Sequence, residues 1–183
     1  SLAAAENYPF CTIEPNESRC PVPDQRFKWL CDLWNPPSKI PAYLQITDIA
    51  GLIRGASEGA GLGNAFLSHI GAVDGLFHVV RAFENEAVVH VDDSVDPIRD
   101  METIIGELCA KDIKYVERQK ADGLDAVRKN PKIKLPDVWH AVFDKAEALL
   151  AEGKPLRGED WEIAEIAKIN EVIPQALTLK PIV

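Results

Sequence analysis

The sequence predicts an α/β fold: a mostly parallel sheet interrupted by a long helical insertion. Three observations carry that reading. Tyr43-Leu44-Gln45-Ile46-Thr47 is an alternating apolar run that ends in Asp48, the pattern of a half-buried strand. Leu76-Phe77-His78-Val79-Val80 is a short, nearly continuous apolar run after Asp74-Gly75, the pattern of a strand buried on both faces of a parallel sheet. From Asp96 onward the apolar period becomes helical.

The elements follow in order. Residues 6–26 are rich in Pro, Asn and Asp and read as an ordered irregular loop. Gln25 to Leu33 gives a short amphipathic helix with Phe27, Leu30 and Leu33 on one face, stopped by Pro36-Pro37 and Pro41. Strand 43–48 follows. Gly51 to Gly63 holds five glycines and reads as a loop. Asn64 to Ile70 reads as a helical turn or two with Phe66, Leu67 and Ile70 inward. Strand, helix and strand in this order predict a βαβ unit.

Asp96 is a good helix cap and Pro97 suits the first helical position. Ile98, Met101, Ile105, Leu108 and Tyr115 then recur at heptad spacing, with Asp112 as a polar break. Asn130-Pro131 and Pro136 mark a turn. A second helix is predicted from Asp137 to Glu152, with Val138, Val142 and Leu149 inward and Gly153 as its stop. A third runs from near Asp160 to just before Pro174. Lys180-Pro181-Ile182-Val183 reads as the start of a strand. The predicted division is therefore 1–96 for the α/β part, 97–173 for a helical, coiled-coil-like insertion, and 174–183 for the return to the sheet.

Composition narrows the function classes. No apolar run approaches the roughly 18–20 residues needed to span a membrane. The start, Ser1-Leu2-Ala3-Ala4-Ala5, has no basic n-region, so no signal peptide is expected. The net charge of −9 argues against a broad nucleic-acid-binding face. Residues 111–134 are the exception, with eight Lys/Arg against four Asp/Glu. They form a basic arm, read as a solvated helix face or as a contact to RNA phosphate. Cys11, Cys20, Cys31 and Cys109 show no CxxC pair and no nearby His at ligand spacing. They read as reduced thiols of a cytosolic protein, with a zinc site or a disulfide framework as the alternative. The four tryptophans are dispersed, form no stacking ladder, and are expected to pack.

Chemistry concentrates at Asp48-Ile49-Ala50-Gly51-Leu52. A carboxylate at the carboxyl end of a strand stands where α/β sheets bind ligands, and can hold magnesium, usually through water. A glycine three residues on lets a backbone N–H approach a terminal phosphate. Alone the pattern is also that of a strand end and an ordinary turn. The glycine-rich run that follows suits a loop that must move when it senses nucleotide. Leu52 stands where many GTPases carry a water-orienting Gln. Thr12 is a loop hydroxyl that can ligate magnesium or simply face solvent. His90, in Val88-Val89-His90-Val91-Asp92-Asp93, either positions water or hydrogen-bonds a neighbouring carboxylate. His69 and His78 read as structural and His140 as a surface residue.

Together the segments resemble the Obg-like ATPase (YchF) subfamily of the translation-factor-related P-loop NTPases. The resemblance rests on Asn7-Tyr8-Pro9-Phe10-Cys11-Thr12-Ile13-Glu14-Pro15-Asn16, Asp48-Ile49-Ala50-Gly51-Leu52, Gly61-Leu62-Gly63-Asn64-Ala65-Phe66-Leu67-Ser68-His69, Arg81-Ala82-Phe83-Glu84 and His90 through Asp100. It implies a partial G-domain-like P-loop NTPase fold, with residues 97–173 as the coiled-coil domain. It implies that Thr12 is the switch I magnesium residue, Asp48 the Walker B carboxylate and Gly51 the γ-phosphate contact. Leu52 becomes the hydrophobic replacement for the catalytic Gln, and His90 the catalytic histidine. Mg2+ is the implied cofactor. The implied partners are ATP, with GTP used less well, and the ribosome, through its large subunit. A cytoplasmic location and an rRNA contact through 111–134 are implied as well. The family's phosphate loop, G-x-x-x-x-G-K-[ST], does not occur in these residues and is expected before Ser1. The base-recognition motif is expected after Val183. Two other readings stand beside the ATPase: a non-catalytic module that docks on a ribosome or protein, and a GTP-hydrolysing Obg relative.

Overall fold

β1 (Asn16–Pro21) and β2 (Tyr43–Asp48) pair antiparallel, with Asn16 opposite Asp48 and Pro21 opposite Tyr43. The structure, a computed structural model, describes residues 16–49, 62–85 and 94–183. The chain divides into two compact units, Ser1–Gly51 and Leu52–Val183.

In the first unit, β1 corrects the reading of 6–26 as irregular. Its sequence, Asn-Glu-Ser-Arg-Cys-Pro, is exposed at every position, so it carries no apolar alternation to betray a strand. It forms because β2 offers a backbone ladder, reinforced where Gln45 donates to Glu17 at 2.9 Å. The pairing is antiparallel, where a mostly parallel sheet was expected. β2 lies where the alternation placed it, though Tyr43, Leu44 and Ile46 remain exposed.

α1 (Gln25–Trp34) starts at Asp24, whose carboxylate accepts from the Arg26 N–H at 2.9 Å. It ends at Asn35, whose positive φ of 40° closes the last turn onto the Cys31 carbonyl. The expected apolar face is only partly used. Cys31 is buried and Phe27 half-buried, while Leu30, Leu33, Trp29 and Trp34 are exposed. Trp29 and Trp34 are therefore not the packing residues expected.

The second unit opens with α2 (Leu62–Ala72), which buries Leu67 and Ile70 of the three positions expected inward; the side chain of Phe66, the third, lies outside what the structure describes. The run 76–80 is a correction in degree. It makes one parallel bridge, Leu76 to Ile182, held by Leu76 N–H to Pro181 O at 2.9 Å and His78 N–H to Val183 O at 2.8 Å. Phe77 and Val79 are exposed, so the run alternates instead of being buried on both faces.

α3 (Pro97–Lys129) is one helix of 33 residues, about 50 Å at the usual rise. Asp96 caps it as the sequence indicated, accepting from the Arg99 N–H at 3.1 Å. α4 (Asp137–Ala151) returns antiparallel. Lys120 meets Asp144 and Glu147, whereas Gly123, further along α3, lies against Trp139 at the start of α4. α4 stops at Gly153, whose φ of 71° is one that L side chains rarely adopt. α5 (Ile163–Val172) opens with a capping box between Glu162 and Glu165.

The core lies among α3, α4, α5 and the turns that follow. Val116, Val142, Phe143, Ala146, Leu156 and Ile173 are wholly buried. Each of the larger side chains contributes about 1.5–3 kcal/mol by leaving water. The predicted stripe on α3 is half right: Leu108 is buried and Ile105 and Tyr115 pack on the core, but Ile98 and Met101 are exposed. The inward positions on α4 hold, with Val142 buried and Val138 and Leu149 packed against the core.

Candidate functional site

Of the residues assigned to the site from sequence, Asp48 is described. It is exposed at the last position of β2, opposite Asn16. Strand pairing fixes its backbone and leaves the carboxylate facing water. Thr12, Gly51, Leu52 and His90 lie outside the described residues. Asp48 and Thr12 supply hard oxygen donors, the type magnesium prefers. Among the described residues no cluster of three or more His, Cys, Asp or Glu could hold a metal ion by itself.

The neighbouring motifs have readable local roles. Arg81 donates to the carbonyls of Phe83 at 3.0 Å and Asn85 at 2.7 Å, and its guanidinium lies over the Phe83 ring. It clamps its own loop. Arg99 reaches back to Ser94, with contacts of 2.6 Å to Oγ and 2.8 Å to the carbonyl, which pins the entry to α3. Partial burial lowers the pKa of His78, with the Asp100 charge opposing. Cys20, Cys31 and Cys109 are free thiols. Burial, reinforced by the Asp112 charge, pushes the Cys109 thiol up to about 11, so it is inert at neutral pH.

The structure singles out two residues that the sequence reading did not. Asp112, read as a polar break, is 1 % exposed. Its carboxylate accepts from the Leu177 N–H at 2.8 Å and the Thr178 N–H at 2.7 Å. Burial raises its pKa above the ordinary value of 3.8, outweighing the opposing hydrogen bonds from Thr178 and Leu177. Lys180 donates its Nζ to the Gly71 carbonyl at 3.1 Å and the Val73 carbonyl at 2.5 Å, closing the carboxyl end of α2. A polar residue on an apolar stripe was the one available signal for Asp112. Nothing local signals Lys180, because its partners are more than a hundred residues away in sequence.

The basic arm divides. Lys120 turns between Asp144 at 2.9 Å and Glu147 at 2.7 Å, and these bonds raise its pKa and lower that of Asp144. Arg118 pairs with Asp122 and Arg128 with Asp125. Lys129, Lys132 and Lys134 are exposed at the hairpin tip.

Comparison with known proteins decides the family. A family model described as "50S ribosome-binding GTPase" matches residues 1–118. The chain is 55% identical over 179 residues to "Obg-like ATPase 1" of Oryza sativa subsp. indica, covering 98% of this chain and 45% of that protein. The chain belongs to the Obg-like, YchF branch of this GTPase family. It is also 50% identical over 186 residues to "Obg-like ATPase 1" of Homo sapiens, covering 100% of this chain and 46% of that protein. The structure titled "Structure of the Schizosaccharomyces pombe YchF GTPase" matches with a TM-score of 0.67 and 42% identity, over 100% of this chain and 49% of that one. The chain thus spans about half the length of the curated relatives it matches. The P-loop GTPase-type fold follows from these matches. No helix among the described residues is long and apolar enough to cross a membrane.

Proposed function

We propose that the full-length protein is a magnesium-dependent nucleoside triphosphatase of the Obg-like type, with ATP as its preferred substrate and the large ribosomal subunit as its partner. The observation that carries the reading is Asp48, exposed at the end of a paired strand. It leads directly into Gly51 and the glycine-rich segment. Family membership over the whole chain supports it. The relatives differ in name over the nucleotide, one an ATPase and one a GTPase, so the preference for ATP belongs to the proposal. So do the cytoplasmic location and the domain division at 96 and 173.

Asp48 and Thr12 would hold the metal, Asp48 through water. Bound magnesium would neutralise charge on the phosphates. The Gly51 N–H would face the γ-phosphate, where a side chain would be in the way. Leu52 has no group that can orient water, so that task falls to His90, which would place water for in-line attack. In the full-length protein, His90→Ala is expected to lower turnover by about tenfold or more, equivalent to about 1.4 kcal/mol of barrier. Nucleotide affinity should stay nearly unchanged. Unchanged turnover would remove His90 from the mechanism.

A second reading is favoured by the hairpin tip. Lys129, Lys132 and Lys134 are exposed together, while Lys120 is drawn inward. The contact to rRNA phosphate would therefore centre on 128–134 within the basic arm. In this reading the chain is a docking module without catalysis. The same turnover assay separates the two, since a docking module shows no magnesium-dependent hydrolysis.

A further inference from the structure

We propose that the full-length protein pairs with a second copy of itself, the basic hairpin tip of each copy docking on the exposed face of α5 in the other. That face is an apolar patch inside an acidic rim. Ile163, Ile166, Ala167 and Asn170 recur at the i, i+3, i+4, i+7 spacing of one side of a helix. All four are exposed, Ile163 at 89 %. The other side of α5 meets the core through Ile169 and Val172. A single exposed isoleucine is ordinary. Here two share one helix face and charge of one sign gathers around them. Residues 159–171 hold five Asp/Glu and one Lys. The nearby cations are drawn inward. Lys168 bonds Glu171 at 2.5 Å, and Lys145 lies over the Trp161 ring, 3.3 Å from Glu159.

The hairpin tip has the opposite character. Residues 128–134 hold four Lys/Arg and no Asp/Glu. Lys129, Lys132 and Lys134 are exposed there, and Ile133 stands among them, exposed as well. An apolar side chain among lysines complements isoleucines among carboxylates. The tip is held away from α5 of its own chain. Glu159 and Glu165 keep the start of α5 beside Lys145, and α4 runs about 12 Å from Lys145 to Asp137 before the tip begins. Lys120 braces α3 against Asp144 and Glu147, so the hairpin does not bend back. The partner for the face is therefore another copy. Two hairpins lying antiparallel place each tip on the other's α5. The contact is then made twice about a twofold axis, and the pair closes instead of propagating.

The test is sedimentation velocity of the full-length protein over a range of concentrations. The wild type should move from monomer to dimer with a Kd in the micromolar range. Lys132→Glu with Lys134→Glu, which reverses the tip, should weaken the dimer by about tenfold or more. Asp160→Lys with Glu171→Lys, which reverses the rim, should do the same. An equal mixture of these two variants should restore the dimer, because every tip then meets a face of opposite charge. Ile163→Ser should also weaken it, and should fold normally because the position is exposed. A wild type that stays monomeric to about 100 µM overturns the proposal, leaving the tip to RNA or the face to another part of the protein. A mixture that stays monomeric overturns it too, as does an Ile163→Ser dimer as tight as the wild type. Should a charge-reversed variant fail to fold, the wild type and Ile163→Ser decide.

Discussion

Asp112→Ala is expected to lower the stability of the full-length protein by roughly 2–6 kcal/mol at neutral pH, because two buried N–H groups lose their acceptor at about 1–3 kcal/mol each. The acceptor is 1 % exposed and bonds to Leu177 and Thr178 at 2.8 and 2.7 Å. The pH dependence follows from the raised pKa, whose largest cause is burial. The native carboxyl holds its proton more tightly than the unfolded chain does. Its contribution is therefore fully present below the ordinary value of 3.8 and declines as pH rises through the native value. The gap between wild type and Asp112→Ala should be widest in acid and narrow toward neutrality. Urea melts across that range check both size and sign. A gap that widens with rising pH would mean that the fold favours the ionised form.

Gly123→Ala carries the second large effect, and two terms oppose. Alanine is the better helix former by about 1 kcal/mol in a helix interior. At an open position on α3 the change would therefore stabilise. At Gly123, however, the new Cβ would lie 2.6 Å from a ring carbon of Trp139. Trp139 is only 4 % exposed and packs on Phe143 with ring centroids 4.4 Å apart. The indole cannot swing away without opening the core, and overpacking of this kind costs roughly 1–3 kcal/mol. The clash is expected to win, for a net loss of up to about 2 kcal/mol once the helix gain is subtracted. Thermal melting of Gly123→Ala, and of the same change combined with Trp139→Phe, checks this. A stabilised single variant would show that the helices separate freely there.

The sequence was most legible where local signals and tertiary needs agree. Asp96-Pro97 marks the start of α3 because capping chemistry acts within one turn. Val142 and Leu67 were placed inward by helical period alone. β1 was missed because its six exposed residues owe their strand to β2 and not to their own pattern. Ile98, Met101, Leu30 and Leu33 show the converse error: the apolar period is present but the face stays open to solvent. In the candidate site, Asp48 could be read from its position at a strand end. The joint around Asp112 and Lys180 could not, because it is made of contacts between residues 65 to 109 positions apart.

The central claim is that the full-length protein binds a nucleoside triphosphate with magnesium through the Asp48 segment. Thermal melting of the full-length protein with Mg-ATP, with Mg-GTP, and with ATP plus a chelator tests it most directly. A ligand held only by the folded state adds about 2.7 kcal/mol of stability at a concentration one hundred times its Kd. The predicted result is a clear upward shift with Mg-ATP, smaller with Mg-GTP, that shrinks in chelator and in Asp48→Asn. Melting unmoved by either nucleotide would contradict the account.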